Sequence, residues 1–384
     1  MKRTSRAIFL LLAAAVARGF CESGSDDGRS DLLFDVNPRE WGGNVGVGYR
    51  GLGLVSGLDT ILWAYAGGAY DGAPLGSINF WRRSDGSLIV GTALSSTEKA
   101  SFDRVGGEWQ LGAAQGILWN ARKKVNLLEG FLFLRGRAYV NLVDSDSATD
   151  QLIYLSGLPD AQGSLQNSLL AGLSFDDAVT DARTKVIDGK SAELSVEWGP
   201  DWLWNTVYGD ADFLRLNATA RFYLPLFDMD PAAPRNVFAM GLADFASVDW
   251  VMGSKVPAEI ARTFGGRDPR TGLGGAVRGI DSASADAVFK AVNNLELRAS
   301  LPALFLKDVV PGFLVYFDAG WYDNTGSAWN GSGQKGLLAS TGLGISLNVL
   351  DITTLVAYTH YRLTGTNADG TAWTPFDFGL ALHF

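Results

Sequence analysis

The sequence predicts an all-β fold, a transmembrane antiparallel β-barrel of roughly 14 to 16 strands, sixteen being favoured. Three observations carry this expectation. Apolar and polar residues alternate with period two in segments of about ten residues separated by polar, Gly-rich stretches, the pattern of strands with one face towards lipid and one towards water. Beyond residue 20 no stretch approaches the 18 or so consecutive apolar residues that a transmembrane helix needs. The chain also ends on an alternating strand, in which Phe376, Phe378, Leu380, Leu382 and Phe384 interleave with Asp377, Gly379, Ala381 and His383. As the edge of a soluble sheet, that strand would leave five bulky apolar groups exposed.

In chain order, residues 1–21 are expected to form a signal peptide. Lys2, Arg3 and Arg6 precede the apolar stretch Ala7 to Ala17, with small residues at Ala15, Ala17 and Gly19 as cleavage sites. Cys21 stands where a lipoprotein cysteine would, although Arg18 and Phe20 fit that signal poorly. Residues 22–40 are assigned to a short polar tether, and 41–384 to the barrel. Strands are expected at Trp41 to Arg50, Thr60 to Tyr70, Glu108 to Trp119, Leu132 to Leu142, Ser168 to Asp176, Ser191 to Trp198, Ala211 to Leu226 and Asn236 to Trp250. Further strands follow at Asn293 to Leu301, Gly312 to Tyr322 and the C-terminus, with one or more unplaced between Asp71 and Arg104.

The faces can be assigned by parity. From Leu214 to Leu224 the outward set is Leu214, Leu216, Ala218, Ala220, Phe222 and Leu224, opposed by Arg215, Asn217, Thr219, Arg221 and Tyr223. In Gly312 to Tyr322, Val315, Phe317, Ala319 and Trp321 face lipid, so Tyr316, Asp318 and Gly320 face the lumen; Glu296 faces it from the preceding strand. Connections give an independent check, since such barrels have short periplasmic turns and long external loops. Val349 to Ile352 is a tight turn, whereas Leu363 to Trp373, Asp323 to Lys335 and the very long Met252 to Asp286 are external. Trp109, Trp119, Trp198, Trp202, Trp204, Trp321 and Trp373 are expected near strand ends, where indoles favour the bilayer interface.

Composition narrows the function classes. Gly occurs 47 times and Trp 12 times, and charged residues make up only 19% of the chain, against roughly 25% in soluble domains. A net charge of -9 argues against nucleic acid as a partner, because phosphate recognition needs a concentrated basic face. One cysteine, Cys21, and two histidines, His360 and His383, leave no multi-ligand metal site and no cofactor constellation. Gly-x-Ser-x-Gly is absent, and no other nucleophile motif replaces it, so the chain is not expected to be an enzyme. His360 and His383 are expected to be polar residues of the lumen.

Near the end of the long loop stands Thr271-Gly-Leu-Gly-Gly-Ala-Val-Arg-Gly-Ile280. It resembles the Val-Arg-Gly-aromatic motif in the sixth loop of the BamA (Omp85) superfamily, which includes the BamA and TamA assembly factors and two-partner secretion pores. Gly274, Gly275, Val277, Arg278 and Gly279 match, while Ile280 replaces the aromatic. Asn293-Asn-Leu-Glu-Leu-Arg298 is similar to the strand after that motif, and Tyr316-Phe-Asp-Ala-Gly320 to the family's Phe-x-Asp-x-Gly strand, with Tyr316 in place of Phe. The specific part of the resemblance covers about residues 264 to 384.

The resemblance implies that the loop folds back into the lumen and brings Arg278 near Asp318, with Glu296 as competing acceptor. It also implies that Phe384 ends the signal by which the barrel-assembly machinery recognises its clients, and that the seam between first and last strands is weakly paired. Gly42, Gly43, Gly46 and Gly48 would suit such a seam or merely fit a crowded wall. The expected function is that of a barrel without POTRA domains, assisting insertion or translocation of proteins, or movement of lipid, at the bacterial outer membrane. Lipid and a separate periplasmic protein are the expected partners. The alternative is a passive porin-like channel or structural surface protein. Oligomeric state, substrate and partner identity are not legible.

Overall fold

The computed structural model describes residues 31–39, 42–50, 54–55, 58–74, 79–82, 87–90, 101–120, 125–142, 163–180, 187–228, 238–280, 287–303, 309–323, 335–349, 353–366 and 370–382. The signal peptide, Cys21, His383 and Phe384 lie outside them. The first strands are β1 (Asp31–Arg39), β2 (Gly42–Arg50), β3 (Thr60–Pro74), β4 (Asn79–Arg82) and β5 (Ser87–Val90). They are followed by β6 (Ser101–Asn120), β7 (Val125–Leu142), β8 (Gly163–Asp176), β9 (Val179–Thr180), β10 (Ile187–Gly199), β11 (Asp212–Asp228) and β12 (Ala239–Lys255). The chain continues with β13 (Thr263–Phe264), β14 (Arg270–Thr271), β15 (Phe289–Ser300), β16 (Val309–Asp323), β17 (Lys335–Val349), β18 (Thr353–Arg362) and β19 (Trp373–Leu382).

One 15-stranded sheet runs β1-β2-β3-β6-β7-β8-β10-β11-β12-β15-β16-β17-β18-β19, with β9 paired to β10 off that path. This lies within the expected range of 14 to 16 strands. All its pairings are antiparallel between chain neighbours, as in β15 against β16, where Asn294 faces Asp318 and Glu296 faces Tyr316. Among the described residues no ladder joins β1 to β19. The sheet nevertheless curls round, because the single connection between β12 and β15 hydrogen-bonds to Arg135 on β7 at one extreme and Arg362 on β18 at the other.

The connections fall on two sides. At the end that carries Leu382, Thr353 and Ala239, the links are short, as at 121–124 and 350–352. The long connections 75–100, 143–162 and 256–288 all leave the opposite, far end. The hairpin β4–β5 occupies part of the first of these, in the interval where the sequence left strands unplaced.

Burial follows the expected parity. Along β11, Phe213, Arg215, Asn217 and Thr219 are buried, while Ala218, Phe222 and Leu224 are exposed on the outer wall. On β16, Leu314, Tyr316, Asp318 and Gly320 are buried, and Val315, Phe317 and Trp321 are exposed. Trp198, Trp202, Trp204, Trp321 and Trp373 are exposed at or beside far-end strand termini. Trp109 departs from that placement. It lies inside β6 with its indole across Gly136 of β7, which has no side chain to obstruct it.

Two other expectations need correction. Asp31–Arg39, assigned to the tether, forms β1 and pairs with β2 from Asp31↔Arg50 to Arg39↔Gly42. The alternation Leu32, Phe34, Val36 was present in the sequence but masked by its acidic neighbours and Pro38. The strand at Trp41 to Arg50 is therefore not the first, and its glycines do not border the seam. A Cβ at Gly46 or Gly48 would stand 2.6 or 2.0 Å from the Trp63 ring, so these two positions fit the crowded-wall explanation.

Candidate functional site

The lumen is occupied by the connection between β12 and β15, of which 256–280 and 287–288 are described. It enters through a short helical turn, Ala258–Arg262, forms the small hairpin β13–β14, turns again at Leu273–Ala276 and ends in Val277 to Ile280. Its apolar side chains explain why it stays inside. Phe264, Leu273, Val277 and Ile280 form a buried cluster with Val292 of the wall, flanked by Phe245, Tyr322 and Leu338. Ile280 thus fills an apolar pocket although it is not aromatic.

Arg278 is placed where the sequence motif expects it. Its Nε and Nη2 donate to the two carboxylate oxygens of Asp318 at 2.8 and 2.7 Å, and Nη1 donates to Glu296 at 2.5 Å. Its backbone N–H also donates to Asp318, at 3.0 Å. Glu296 is therefore a second acceptor and not only a competitor. The guanidinium lies 3.8 Å from the Tyr316 ring centroid and 5.6 Å from that of Tyr358, so two aromatic faces add cation–π attraction. Burial alone would lower the pKa of Arg278, but the hydrogen bond and charge of Asp318 and the charge of Glu296 outweigh it and hold the group above the ordinary arginine range. Asp318 is fully buried, so this planar fork is what compensates its charge.

The glycines around Arg278 have separate reasons. Gly275 and Gly279 have φ of 109° and 77°, left-handed conformations that disfavour side chains. Gly279 also abuts the His360 side chain, and its carbonyl accepts from Arg362 Nε at 2.6 Å. Gly274, expected to turn the backbone sharply, has φ of -70°, which any residue can adopt. Gly320 is the wall's counterpart. A Cβ there would come within 2.7 Å of Leu273 and 2.8 Å of Val277, so the missing side chain makes room for the loop. His360 lies in the lumen, as expected, with Nδ1 hydrogen-bonded to the Tyr316 hydroxyl and Nε2 3.4 Å from Asp377 of β19.

Sequence reasoning missed a second anchor. Arg135, Arg137, Glu197, Arg215, Asp249 and Lys290 come from β7, β10, β11, β12 and β15, and all are buried. Arg215 Nε donates to both Asp249 oxygens at 3.0 and 2.9 Å, Lys290 lies 3.3 Å from Asp249, and Glu197 takes Arg137 at 3.0 Å and Ser168 at 2.7 Å. The loop joins this network through its backbone. Arg135 donates to the carbonyls of Gly266 and Arg267, Arg215 to that of Thr263, and Gly265 N–H donates to Asp249 at 2.9 Å. One signal was available: inward charges recur at corresponding positions on adjacent strands, as with Glu197 opposite Arg215.

Of the C-terminal residues, Phe376 is exposed, and Phe378, Leu380 and Leu382 belong to β19. β19 slips register between Tyr358 and His360 of its partner, beside Pro375 and Phe376.

No family model and no curated protein sequence matches the chain. Solved structures do. A BamA from Haemophilus ducreyi lacking POTRA domains 1–3 aligns over 92% of this chain at a TM-score of 0.50 and 12% identity. CdiB from Acinetobacter baumannii aligns over 89% at a TM-score of 0.50 and 13% identity. The aligned part spans 64% of that BamA chain and 50% of that CdiB chain. The likeness is one of fold: an antiparallel barrel of the BamA and CdiB type.

Proposed function

We propose that this chain is an Omp85-type outer-membrane barrel that assists the insertion or translocation of proteins, or the movement of lipid, and has no catalytic step of its own. One observation carries this reading: the lumen is occupied by a loop held through Arg278 to Asp318 and Glu296, as a releasable plug would be. The shared fold with BamA and CdiB barrels supports it. A separate periplasmic protein would deliver clients to the near-end mouth, and the barrel-assembly machinery would insert the chain itself.

Planar-bilayer recording tests the reading. The intact protein should show small, erratic conductance that rises when Arg278 is replaced by Ala. A large, stable, ion-selective open state of the intact protein would instead establish the passive pore. Fractionation with the outer membrane, and a gel mobility that changes on boiling, are the expected signs of location and closure. Deleting Phe384 should lower the amount assembled while leaving export intact; unchanged assembly would refute its role in recognition.

A further inference from the structure

Beneath the loop, towards the near end, the lumen retains a cavity of about 340 Å³ lined in part by Arg221, Tyr223, Phe245, Arg278, Glu296 and Arg298. Its charges are unequally paired. Arg278 is taken up by Asp318 and Glu296, and Arg298 Nε donates to Glu296 at 2.5 Å. Arg221 has no hydrogen bond or ion pair among the described residues; its guanidinium stands 5.6 Å from the centroid of the Phe245 ring. Arg270, from β14 of the loop, lies over the same ring at 4.7 Å. Its Nη2 donates to Thr219 at 2.6 Å, while its Nη1 is buried with no acceptor.

Two guanidiniums that share one phenyl ring repel each other, Arg270 being half-buried and Arg221 exposed to the lumen. Burial and then the charge of Arg221 bring the pKa of Arg270 down to about 10. Glu193, Asp268 and Asp249 act in the opposite sense but do not reach hydrogen-bonding distance of Arg270. Of the four cations Arg221, Arg270, Arg278 and Arg298, the last two touch the carboxylates Glu296 and Asp318, and Arg221 and Arg270 touch none among the described residues. Asp244 also borders the cavity, but it alternates with inward Phe245 along β12 and its carboxylate accepts from Asn293 at 2.7 Å.

We propose that this cavity is a binding site for a phosphate group, held by Arg221 with Arg298 and Tyr223 at its rim, the charge of Arg270 lying behind Phe245. A phosphate monoester carries about −1.5 to −2 charges at neutral pH, which matches the unpaired excess. The loop lines its far side through Ala276 and Arg278, and the proposed entry is from the near end. Its source is either free phosphate or a lipid headgroup that ends in a phosphate monoester.

The test is calorimetric titration of the whole barrel in phosphate-free detergent, with inorganic phosphate and glycerol 3-phosphate as separate probes. Saturable binding that weakens at least tenfold in Arg221→Gln supports the site; a preference for glycerol 3-phosphate assigns it to a headgroup, and equal or tighter binding of inorganic phosphate to the free ion. Arg221→Glu places a carboxylate beside Arg270 and should abolish binding while preserving the boiling-dependent gel mobility. Absence of saturable binding, binding unchanged in both variants, or preference for an acidic peptide over both phosphates would overturn the proposal.

Discussion

The loop is held to the barrel wall in two places, and the two are built differently. At Arg278 the loop contributes a side chain, whose fork engages Asp318 and Glu296 on two adjacent strands. At Thr263 to Arg267 the contacts with Arg135, Arg215 and Asp249 use the loop's carbonyls, an amide and the Thr263 hydroxyl, and the charged side chains of those contacts belong to the wall. The first place leaves a mark in the sequence because it requires one residue type at one position. The second leaves almost none, since every non-proline residue carries an N–H and a C=O.

The largest expected effect tests whether the second place is the stronger. Arg215 is fully buried, and Arg215→Ala would strip Asp249 and Glu197 of a shared cation. Removing one partner from a desolvated pair costs about 3 to 5 kcal/mol, so the urea midpoint of unfolding should fall sharply. A midpoint unchanged from that of the parent protein would show that wall charges are not what holds the loop there.

Arg278→Ala comes next. Asp318 loses its bidentate partner, but the Arg278 side chain keeps 17% exposure, so water compensates in part and the loss should lie near the lower limit of about 3 kcal/mol. A cycle with Asp318→Ala should show coupling, and a smaller coupling is expected with Glu296→Ala. Limited proteolysis should then cut between residues 272 and 286. Independence from both carboxylates would mean that Arg278 is merely solvated.

Gly320→Val asks whether shape alone can release the loop. The added methyls meet Leu273 and Val277, and overpacking of this kind costs about 1 to 3 kcal/mol. Protease sensitivity of the loop should increase with no change in charge; full protection would show that the cluster can shift. The smallest effect is expected of Arg267→Ala. That residue contributes its carbonyl to Arg135, and the substitution retains it. The side-chain pair with Glu129, 27% and 13% exposed, is still partly screened by water and should be worth about 1 kcal/mol, with a modest addition from stacking on Phe131 and Phe133. A loss comparable to that of Arg215→Ala would erase the distinction between the two places.

The same distinction explains how much was legible beforehand. Parity along β11 and β16 could be read directly, because an apolar outer face and a polar lumen impose opposite demands on neighbouring residues. Strand ends could not: β6 begins at Ser101 instead of Glu108, since beyond the apolar band the ladder continues through residues chosen only for solvation. β1 was lost for a similar reason. Lumen charges were hardest, because Arg215 in water and Arg215 beneath a folded loop look alike in a sequence. Only the return of the loop, fixed by Phe264, Leu273 and Val277, removes the water from around them.

The long reach of that loop bears on how the molecule comes into being. Apart from the inserted β4–β5, β9 and β13–β14, each rung of the sheet joins strands that follow one another in the chain, so pairing can propagate by successive hairpins, with the larger loop-closure entropy at 75–100, 143–162 and 256–288. The bond from Arg135 to Gly266 spans 131 positions and cannot form until the wall between them stands. Docking of the loop is thus the late event in maturation, and the chain passes through a stage in which its wall is assembled and its interior still flooded.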